Sequence, residues 1–192
     1  MKKIIFASQN RGKVKEVEHI LKDLNVQIVS LADINEVVEI EETGSTFEEN
    51  AKIKAKIVYD KFKIPTIADD SGLVVEQLNG APGIYSSRYA GEDGNDTANN
   101  KKLVNELENF REPHIAKFVC TAVYYDGNEF HTAIGEMKGK IIHEEKGSKG
   151  FGYDPLFVPD GYNVTSAELE PEVKNSISHR FHAFQKLKKM IA

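Results

Sequence analysis

Alternating apolar and polar stretches divide the first part of the chain into strands and helices. The β-branched and aromatic run "KKIIFAS" predicts a buried strand, and apolar side chains at helical spacing predict an amphipathic helix over residues 12–24. The run "VQIVSL" predicts a second strand. Thr46, followed three residues later by Glu49, is a capping-box pattern, and the apolar face beyond it predicts a helix over residues 47–62.

The pattern continues with a third strand, "IPTIA", which we expect to end at a pair of aspartates. Residues 73–78 predict a further strand, closed by an Asn-Gly turn. A helix is predicted near residues 97–109, and a C-terminal amphipathic helix carries apolar side chains from Ile177 to Ile191.

The middle of the chain has a different, β-rich character. The runs "IAKFVCTAVYY" and "EFHTAIGEM" flank Asp126-Gly127, which predicts a hairpin, and "KGKIIHEE" extends it as a meander, with "LFVP" as a short strand beyond. The early alternation of strands and helices is typical of an α/β core. Because the 192 residues contain no repeat, low-complexity tract or linker, we expect one domain over residues 1–192 with an elongated mixed α/β fold.

Composition and charge remove several classes of function. A formal net charge of −5 provides no broad basic surface, so nucleic acid is not an expected partner, although a small basic pocket for one anion is allowed. Cys120 is the single cysteine, which excludes an internal disulfide and a multi-cysteine zinc site. No apolar run reaches the ~18 residues of a membrane span, and the N-terminal run is too short for a signal peptide, so we expect a cytoplasmic protein without a membrane partner.

The first candidate site is the polar segment 8–13, "SQNRGK", between the first strand and the first helix. In α/β sheets, ligands bind beyond the carboxyl ends of the strands, and the N–H groups at a helix N-terminus attract phosphate. Arg11 and Lys13 would add positive charge. The segment is not a Walker A loop, because Val14 follows Lys13 where a Ser or Thr is required. Taken alone, it also fits a solvated basic helix start.

The second candidate site is the adjacent pair Asp69 and Asp70. Neighbouring residues of a straight strand point to opposite faces, so both carboxylates could face one ligand only if the chain bends, and Ser71-Gly72 would allow a bend. Mg²⁺ prefers one or two carboxylates together with waters and substrate phosphates. The pair therefore fits metal-assisted phosphoryl chemistry, and it equally fits an Asx-turn or a helix cap.

The third candidate site is the glycine-rich segment 147–155, "GSKGFGYDP". Glycines let the backbone approach a ligand closely, Phe151 and Tyr153 offer flat faces, and Asp154 can accept hydrogen bonds from the edge of a base. The polar segment "EVKNSISHR" follows, just before the last helix. Glycine-rich loops with aromatic residues are also common in ordinary turns.

Taken together, these segments resemble one family. "FASQNRGKVKE" is similar to its N-terminal "(T/S)xNxxKxxE" signature, and its other motifs are matched in order by "EETGSTFEENAKIKA", "IADDSGLVVEQLNGAPGIYSSRYAG", "GFGYDPLFVP" and "EVKNSISHR". This is the inosine triphosphate pyrophosphatase family, also called Ham1-like or non-standard purine NTP pyrophosphatases, in its bacterial form. The resemblance covers essentially the whole chain.

The resemblance implies an enzyme that hydrolyses deaminated purine nucleoside triphosphates, namely ITP, dITP and XTP, to the monophosphate and pyrophosphate. Such an enzyme cleanses the nucleotide pool and requires Mg²⁺. The implied fold has two lobes flanking a central nucleotide-binding cleft, and the implied assembly is a homodimer.

The resemblance also assigns roles to residues. Asp70 is implied as the proton acceptor that activates water, with Asp69 beside it, and Glu41 and Asp70 as the Mg²⁺ ligands. The implied substrate-binding residues are Ser8, Gln9, Asn10, Arg11, Gly12, Lys13, Asn50, Lys54, Ser71, Phe151, Gly152, Tyr153, Asp154, Lys174, His179 and Arg180. Asn50 and Lys54 are one helical turn apart, so we expect them to share a face.

Hydrogen-bond polarity would then select the base. Hypoxanthine and xanthine present an oxygen acceptor at position 6 and an N1–H donor, whereas adenine presents the reverse, so a donor on Arg180 and an acceptor on Asp154 would disfavour adenine. Two other interpretations fit the residues. One is a Maf-like pyrophosphatase acting on modified or pyrimidine nucleotides, and the other is a non-catalytic nucleotide sensor.

Overall fold

The structure is a computed structural model and describes residues 2–34 and 38–191. Its strands are β1 (Lys2–Phe6), β2 (Val26–Ser30), β3 (Thr66–Val75), β4 (His114–Tyr125), β5 (Phe130–Ile141) and β6 (Phe157–Pro159). Its α-helices are α1 (Arg11–Leu21), α2 (Phe47–Phe62), α3 (Asp96–Leu107), α4 (Pro171–Ile177) and α5 (His179–Ile191). The strands form one six-stranded sheet in the order β2-β1-β3-β4-β5-β6, which confirms the mixed α/β class.

The N-terminal β1–α1–β2 unit follows the predicted pattern. Strands β1 and β2 pair in parallel from Lys2 opposite Val26 to Phe6 opposite Ser30. Helix α1 ends at Leu21 and not at the predicted residue 24, because the chain turns there and the N–H of Leu24 donates to the carbonyl of Leu21 at 2.9 Å. Helix α2 has the predicted bounds, Phe47–Phe62.

Strand β3 differs most from the prediction. It runs without a break from Thr66 to Val75, so Asp69 and Asp70 lie inside a strand and the predicted bend at Ser71-Gly72 is wrong. The predicted strand over residues 73–78 is confirmed as far as Val75, as the end of β3, and is wrong beyond it, since Glu76–Leu78 form a 3-10 helix. No bend is needed to bring charged groups to the two aspartates, because each has charged partners on its own face of the strand.

The predicted hairpin in the middle of the chain is confirmed. Strands β4 and β5 are neighbours in the sheet and are joined by residues 126–129 alone, a connection too short for a parallel crossover. The segment predicted to extend the meander begins as the end of β5, which continues to Ile141. Strand β6 then pairs antiparallel with β5.

The chain separates into two compact units. The first consists of Met1–Asp70, Cys120–Gly135 and His179–Ala192, and the second of Ser71–Val119 and Glu136–Ser178. The first unit has one apolar cluster around α1 and α5 and another around α2, and the second has a cluster that includes Leu73, Leu103, Phe118 and Phe157. The single two-lobed domain inferred from the sequence remains a prediction.

One glycine in the first unit fixes the position of α5. A Cβ atom at Gly135 of β5 would lie 2.2 Å from the carbonyl oxygen of His179 and 2.3 Å from the amide nitrogen of Ala183. Contacts this close to backbone cannot be relieved by moving a side chain, so only glycine lets α5 approach β5 here. The start of α5, with His179 and Arg180, is thereby held against the sheet.

Candidate active site

Strand register places the segment 8–13 beside the aspartates. Strands β1 and β3 pair in parallel, with Phe6, the last residue of β1, opposite Ile67. Strand β3 therefore extends past the carboxyl end of β1, and Asp69 and Asp70 lie in this extension. The chain leaving β1 turns into α1 at the same end of the sheet, where α/β folds bind their ligands.

Asp69 lies on the face of β3 that is covered by α1 and α5. Its Oδ2 atom is 3.5 Å from Nζ of Lys13 and accepts a hydrogen bond from Nε of Arg180 at 3.2 Å. Ile67 is two positions earlier and therefore on the same face of β3, and it belongs to the apolar cluster around these two helices. The sulfur of Cys120 is 3.8 Å from the same carboxylate oxygen.

Asp70 lies on the opposite face, which is covered by α2. Its Oδ2 accepts a hydrogen bond from Nδ2 of Asn50 at 3.1 Å, and its Oδ1 accepts one from Nζ of Lys54 at 3.3 Å. The orientation of the Asn50 amide follows from its other contact, since its Oδ1 accepts from the N–H of Gly44 at 2.8 Å. The prediction that Asn50 and Lys54 share a helical face is confirmed, because both contact Asp70.

The two neighbouring carboxyls have opposite electrostatic environments. Burial by itself would raise the pKa of Asp69, but Lys13, Arg180 and Lys54 together hold that pKa well below its usual range. Burial raises the pKa of Asp70, and nearby Glu42 raises it further against the lowering effect of Lys54 and Asn50. Asp69 is therefore a fixed negative charge, whereas Asp70 is the better proton acceptor.

The carboxylates of this cluster in turn stabilise the charged forms of Lys54 and Arg180. Burial lowers the pKa of Lys54, but the charges of Asp70, Asp69 and Glu42 outweigh it, so that pKa is raised. Burial likewise opposes the charge of Arg180, and Asp69 and Glu16 raise its pKa above the usual value. The cluster thus keeps permanent positive charges beside two carboxyls.

Segment 8–13 forms the turn after β1 and the first turn of α1. Asn10 is the N-cap residue, and its Oδ1 accepts hydrogen bonds from the N–H groups of Gly12 at 2.9 Å and Lys13 at 3.1 Å. Ser8 supports the turn by accepting from the N–H of Asn10 at 3.2 Å. Gln9 and Arg11 are exposed, and only Lys13 of this segment reaches the aspartates.

The two predicted metal ligands, Glu41 and Asp70, have different surroundings. Glu41 is exposed, whereas its neighbour Glu42 contacts Nζ of Lys54 at 2.9 Å, and the same ammonium contacts Asp70. Carboxylate oxygens from Glu42 and Asp70 thus already surround one cation, and oxygen donors of this kind fit a hard divalent ion such as Mg²⁺. The pairing of Glu41 with Asp70 remains a prediction.

Sequence reasoning missed Glu16 of this cluster, and it noted Glu42 beside Glu41 but assigned a role to Glu41 alone. Glu16 of α1 accepts a hydrogen bond from Nη1 of Arg180 at 2.7 Å, so that Arg180 lies between Glu16 and Asp69. The signal for Glu16 was present, because the signature "NxxKxxE" puts a glutamate one helical turn after Lys13, on the same face. For Glu42, no spacing in the loop "EIEETG" distinguishes it from its acidic neighbours.

The second unit contains the glycine-rich segment and its polar partners. Lys174 of α4 donates to Oδ2 of Asp154 at 2.5 Å, and its Nζ lies 5.0 Å from the centre of the Phe151 ring. Asp154 also accepts from the N–H of Phe151 at 3.0 Å. A Cβ atom at Gly150, where φ is +81°, would lie 2.1 Å from Oδ2 of Asp154, so this glycine is needed for the arrangement.

The structure corrects the expectation that both aromatic rings of this segment are available to a ligand. Phe151 is 42% exposed, but Tyr153 is buried in the core of the second unit, and its hydroxyl donates to the carbonyl of Ser86 at 2.8 Å. The ring of Tyr153 therefore packs in this core and does not stack on a base.

The backbone of the same segment is fixed at Gly152, which has a φ of +63° and donates its N–H to Asp96 at 2.7 Å.

The remaining predicted residues are in or near these elements. His179 is buried at the start of α5, next to Arg180. Ser71 is half-buried in β3, directly after Asp70. The substrate contacts inferred for the full set of site residues remain predictions.

Comparisons with known proteins agree with one another. The family model described as the Ham1 family matches residues 4–190. A "dITP/XTP pyrophosphatase" of Oceanobacillus iheyensis is 45% identical over 194 residues, covering 100% of this chain and 98% of the relative. A protein of the same name from Clostridium perfringens is 49% identical, covering 98% of this chain and 96% of the relative.

Solved structures give the same result. A HAM1 protein from Coxiella burnetii matches with a TM-score of 0.92 and 39% identity, covering 100% of this chain and 98% of that one. The Staphylococcus aureus Ham1 protein matches with a TM-score of 0.89 and 40% identity, covering 99% of this chain and 98% of that one. On both sequence and structure, this chain belongs to the Ham1 family.

Proposed function

We propose that this chain is a nucleoside-triphosphate pyrophosphatase that converts ITP, dITP and XTP to the monophosphate and pyrophosphate. The observation that carries the proposal is the adjacent pair of buried carboxyls, with Asp69 paired to Lys13 and Arg180 and Asp70 to Asn50 and Lys54. Pairs of this kind are typical of hydrolytic sites, where one group holds charge and the other moves a proton. The names of the relatives support the same reaction.

In this mechanism Asp70 acts on the attacking water. Hydrolysis needs a water molecule in line with the bond between the α-phosphorus and the pyrophosphate that leaves. A carboxylate of Asp70 can accept a hydrogen bond from that water and take its proton, while Asn50 and Lys54 hold the carboxyl in place. Because a metal-bound carboxylate has a low proton affinity, Asp70 would act chiefly by orienting the attacking water.

Positive charge for the triphosphate would come from residues around the same carboxyls. Lys13 is at the start of α1, where the helix N-terminus attracts anions, and its side chain is 20% exposed. Lys54 is buried against Asp70 and Glu42. The charge that develops on the phosphate oxygens would be stabilised by these ammonium groups.

Magnesium is part of the proposal. Asp70 would hold the ion together with Glu41 or, from the observed contacts, Glu42, and the bound ion supplies neutralisation of the phosphate charge. Asp69 is not proposed as a ligand, because Lys13 and Arg180 already neutralise it.

Base recognition is assigned to Asp154 and its neighbours. A 6-oxopurine needs a donor to its oxygen and an acceptor from N1–H, and the Lys174–Asp154 pair offers both. The exposed ring of Phe151 offers a stacking face. Arg180, the donor inferred from the sequence, donates from Nε to Asp69 and from Nη1 to Glu16.

A homodimer, which the family resemblance implies, is a further part of the proposal, as is the cytoplasmic location expected from the sequence. Among the residues that the structure describes, no helix combines the length and apolar character required to cross a bilayer.

The decisive experiment measures pyrophosphate release from ITP, XTP and ATP, with Mg²⁺ and with a chelator. We expect rapid release from ITP and XTP, slow release from ATP, and none without the metal. Asp70→Asn should reduce turnover by a factor of about 100 or more while nucleotide binding persists. Binding without release under all conditions would indicate a sensor, and a preference for pyrimidine nucleotides would indicate a Maf-like enzyme.

A further inference from the structure

Two histidines of the second unit are in direct contact. His114 is fully buried at the start of β4, and its Nε2 lies 2.7 Å from Nε2 of His143, in the segment after β5. The carboxylate of Glu112 lies 3.8 Å from the same atom of His143. One ligand atom from each of these three side chains lies within 4.8 Å of the other two.

The protonation of His114 follows from its neighbour Gln77. The Nε2 amide group of Gln77 faces two carbonyl oxygens, those of Arg111 at 2.8 Å and Pro113 at 3.5 Å, so this end must be the donor. The other end, Oε1, lies 3.0 Å from Nδ1 of His114 and must accept. Nδ1 of His114 therefore carries the proton, and its Nε2 carries a lone pair directed at His143.

This is the arrangement of a metal-binding histidine. Histidines that ligate a metal usually donate the N–H of the other ring nitrogen to a carbonyl or carboxylate oxygen, which fixes the tautomer and aims the ligand atom. Gln77 does this for His114.

We propose that Glu112, His114 and His143 form a site for a transition-metal ion such as Zn²⁺, made of different residues from the proposed magnesium ligands. Two imidazoles and one carboxylate are a ligand set that Zn²⁺ takes readily, with water in the fourth position, whereas Mg²⁺ prefers oxygen ligands. The site does not depend on the proposed function.

The change required for metal binding is small. Two histidine nitrogens bound to one tetrahedral Zn²⁺ are about 3.3 Å apart, given Zn–N bonds of about 2.0–2.1 Å. The ring of His143 must therefore move away slightly, and its proton must pass from Nε2 to Nδ1 by way of solvent. His143 is 35% exposed and Glu112 73% exposed, so both can adjust, while buried His114 stays fixed.

The bound ion would join the chain before β4 to the chain after β5. Because these ligands come together only in the folded second unit, metal binding should stabilise the fold by an amount that rises with the logarithm of the free metal concentration. We therefore expect a rise in melting temperature with micromolar Zn²⁺ that an equal concentration of Mg²⁺ does not produce.

The test uses the full chain in excess Mg²⁺, which saturates the magnesium ligands, with ZnCl₂ in equilibrium dialysis and CoCl₂ as a spectroscopic probe. His143→Gln keeps a donor for Nε2 of His114 but removes the imidazole, and Glu112→Gln removes the carboxylate. His131→Gln is the matched control, since His131 is similarly half-buried but lies on β5 beside Tyr124. Circular dichroism verifies that each variant is folded.

We expect one equivalent of Zn²⁺ in the wild-type protein and in His131→Gln, with visible d–d absorption from Co²⁺. Zn²⁺ affinity should fall at least tenfold in His143→Gln and less in Glu112→Gln, and the Co²⁺ bands should weaken in parallel. The proposal is overturned if the wild-type protein retains no Zn²⁺ in excess Mg²⁺. It is also overturned if His143→Gln binds Zn²⁺ as the wild-type protein does.

Discussion

Replacing each of the adjacent aspartates by its isostere asparagine should separate stability from catalysis. Asp69→Asn removes a charge that Arg180 and Lys13 require, whereas Asp70→Asn removes a charge that burial and Glu42 disfavour. We expect the first variant to be destabilised and the second to lose turnover with little change in the free energy of unfolding. The substitutions are chemically identical, so each is the control for the other.

The magnitude for Asp69→Asn follows from burial. The side chains of Arg180 and Asp69 are each 2% exposed, and removing one partner of such a pair costs about 3–5 kcal/mol. Glu16 still contacts Arg180, so we expect the lower end, about 3 kcal/mol. For a chain of this length that is a fall of about 6–12 °C in melting temperature. For Asp70→Asn we expect a change within about 1 kcal/mol, because Lys54 retains Glu42.

The assay is urea unfolding followed by circular dichroism in metal-free buffer, combined with pyrophosphate release in Mg²⁺. Because the pKa of Asp69 is depressed in the folded state, its contribution is complete above the unfolded value of about 3.9 and declines as the pH falls below it. The deficit of Asp69→Asn should therefore shrink in acid. Equal destabilisation by the two variants would refute this account of their environments.

Two other predictions concern the glycine-rich segment. Gly150→Ala would place a Cβ against Asp154, so the KM for ITP should rise severalfold with little change in kcat; an unchanged KM would argue against Asp154 in base recognition. Tyr153→Phe loses only the buried hydrogen bond to Ser86, so it should cost about 1 kcal/mol in chemical unfolding and leave the KM for ITP unchanged. In contrast, Phe151→Ala should raise that KM, and equal effects of the two variants would contradict the different exposure of the two rings.

The sequence predicts elements well where periodicity is strong. The capping pattern at Thr46 and the apolar face that follows define α2 correctly, because side-chain contacts within a few residues determine where this helix begins. The pairing of Asn50 and Lys54 on one helical face follows from the same periodicity.

The sequence fails where long-range contacts override local preference. Ser71-Gly72 is a common turn sequence, yet β3 continues through it, because neighbouring strands and the ion pairs of Asp69 and Asp70 stabilise the extended chain. The burial of Tyr153 has the same origin, since only the folded core of the second unit determines which of two aromatic rings points inward.

Because β3 is uninterrupted, the number of residues that precede the two aspartates in the strand determines which face each of them occupies. Side chains of a strand alternate between faces, so deleting or inserting one residue between Thr66 and Asp69 would move Asp69 toward α2 and Asp70 toward α1 and α5. Each carboxyl would then meet the partners of the other, although the motif itself would remain intact. Length variation in β3 is therefore a more severe lesion than most substitutions, because even a two-residue insertion, which restores the face, would displace both carboxyls by about 6–7 Å along the strand.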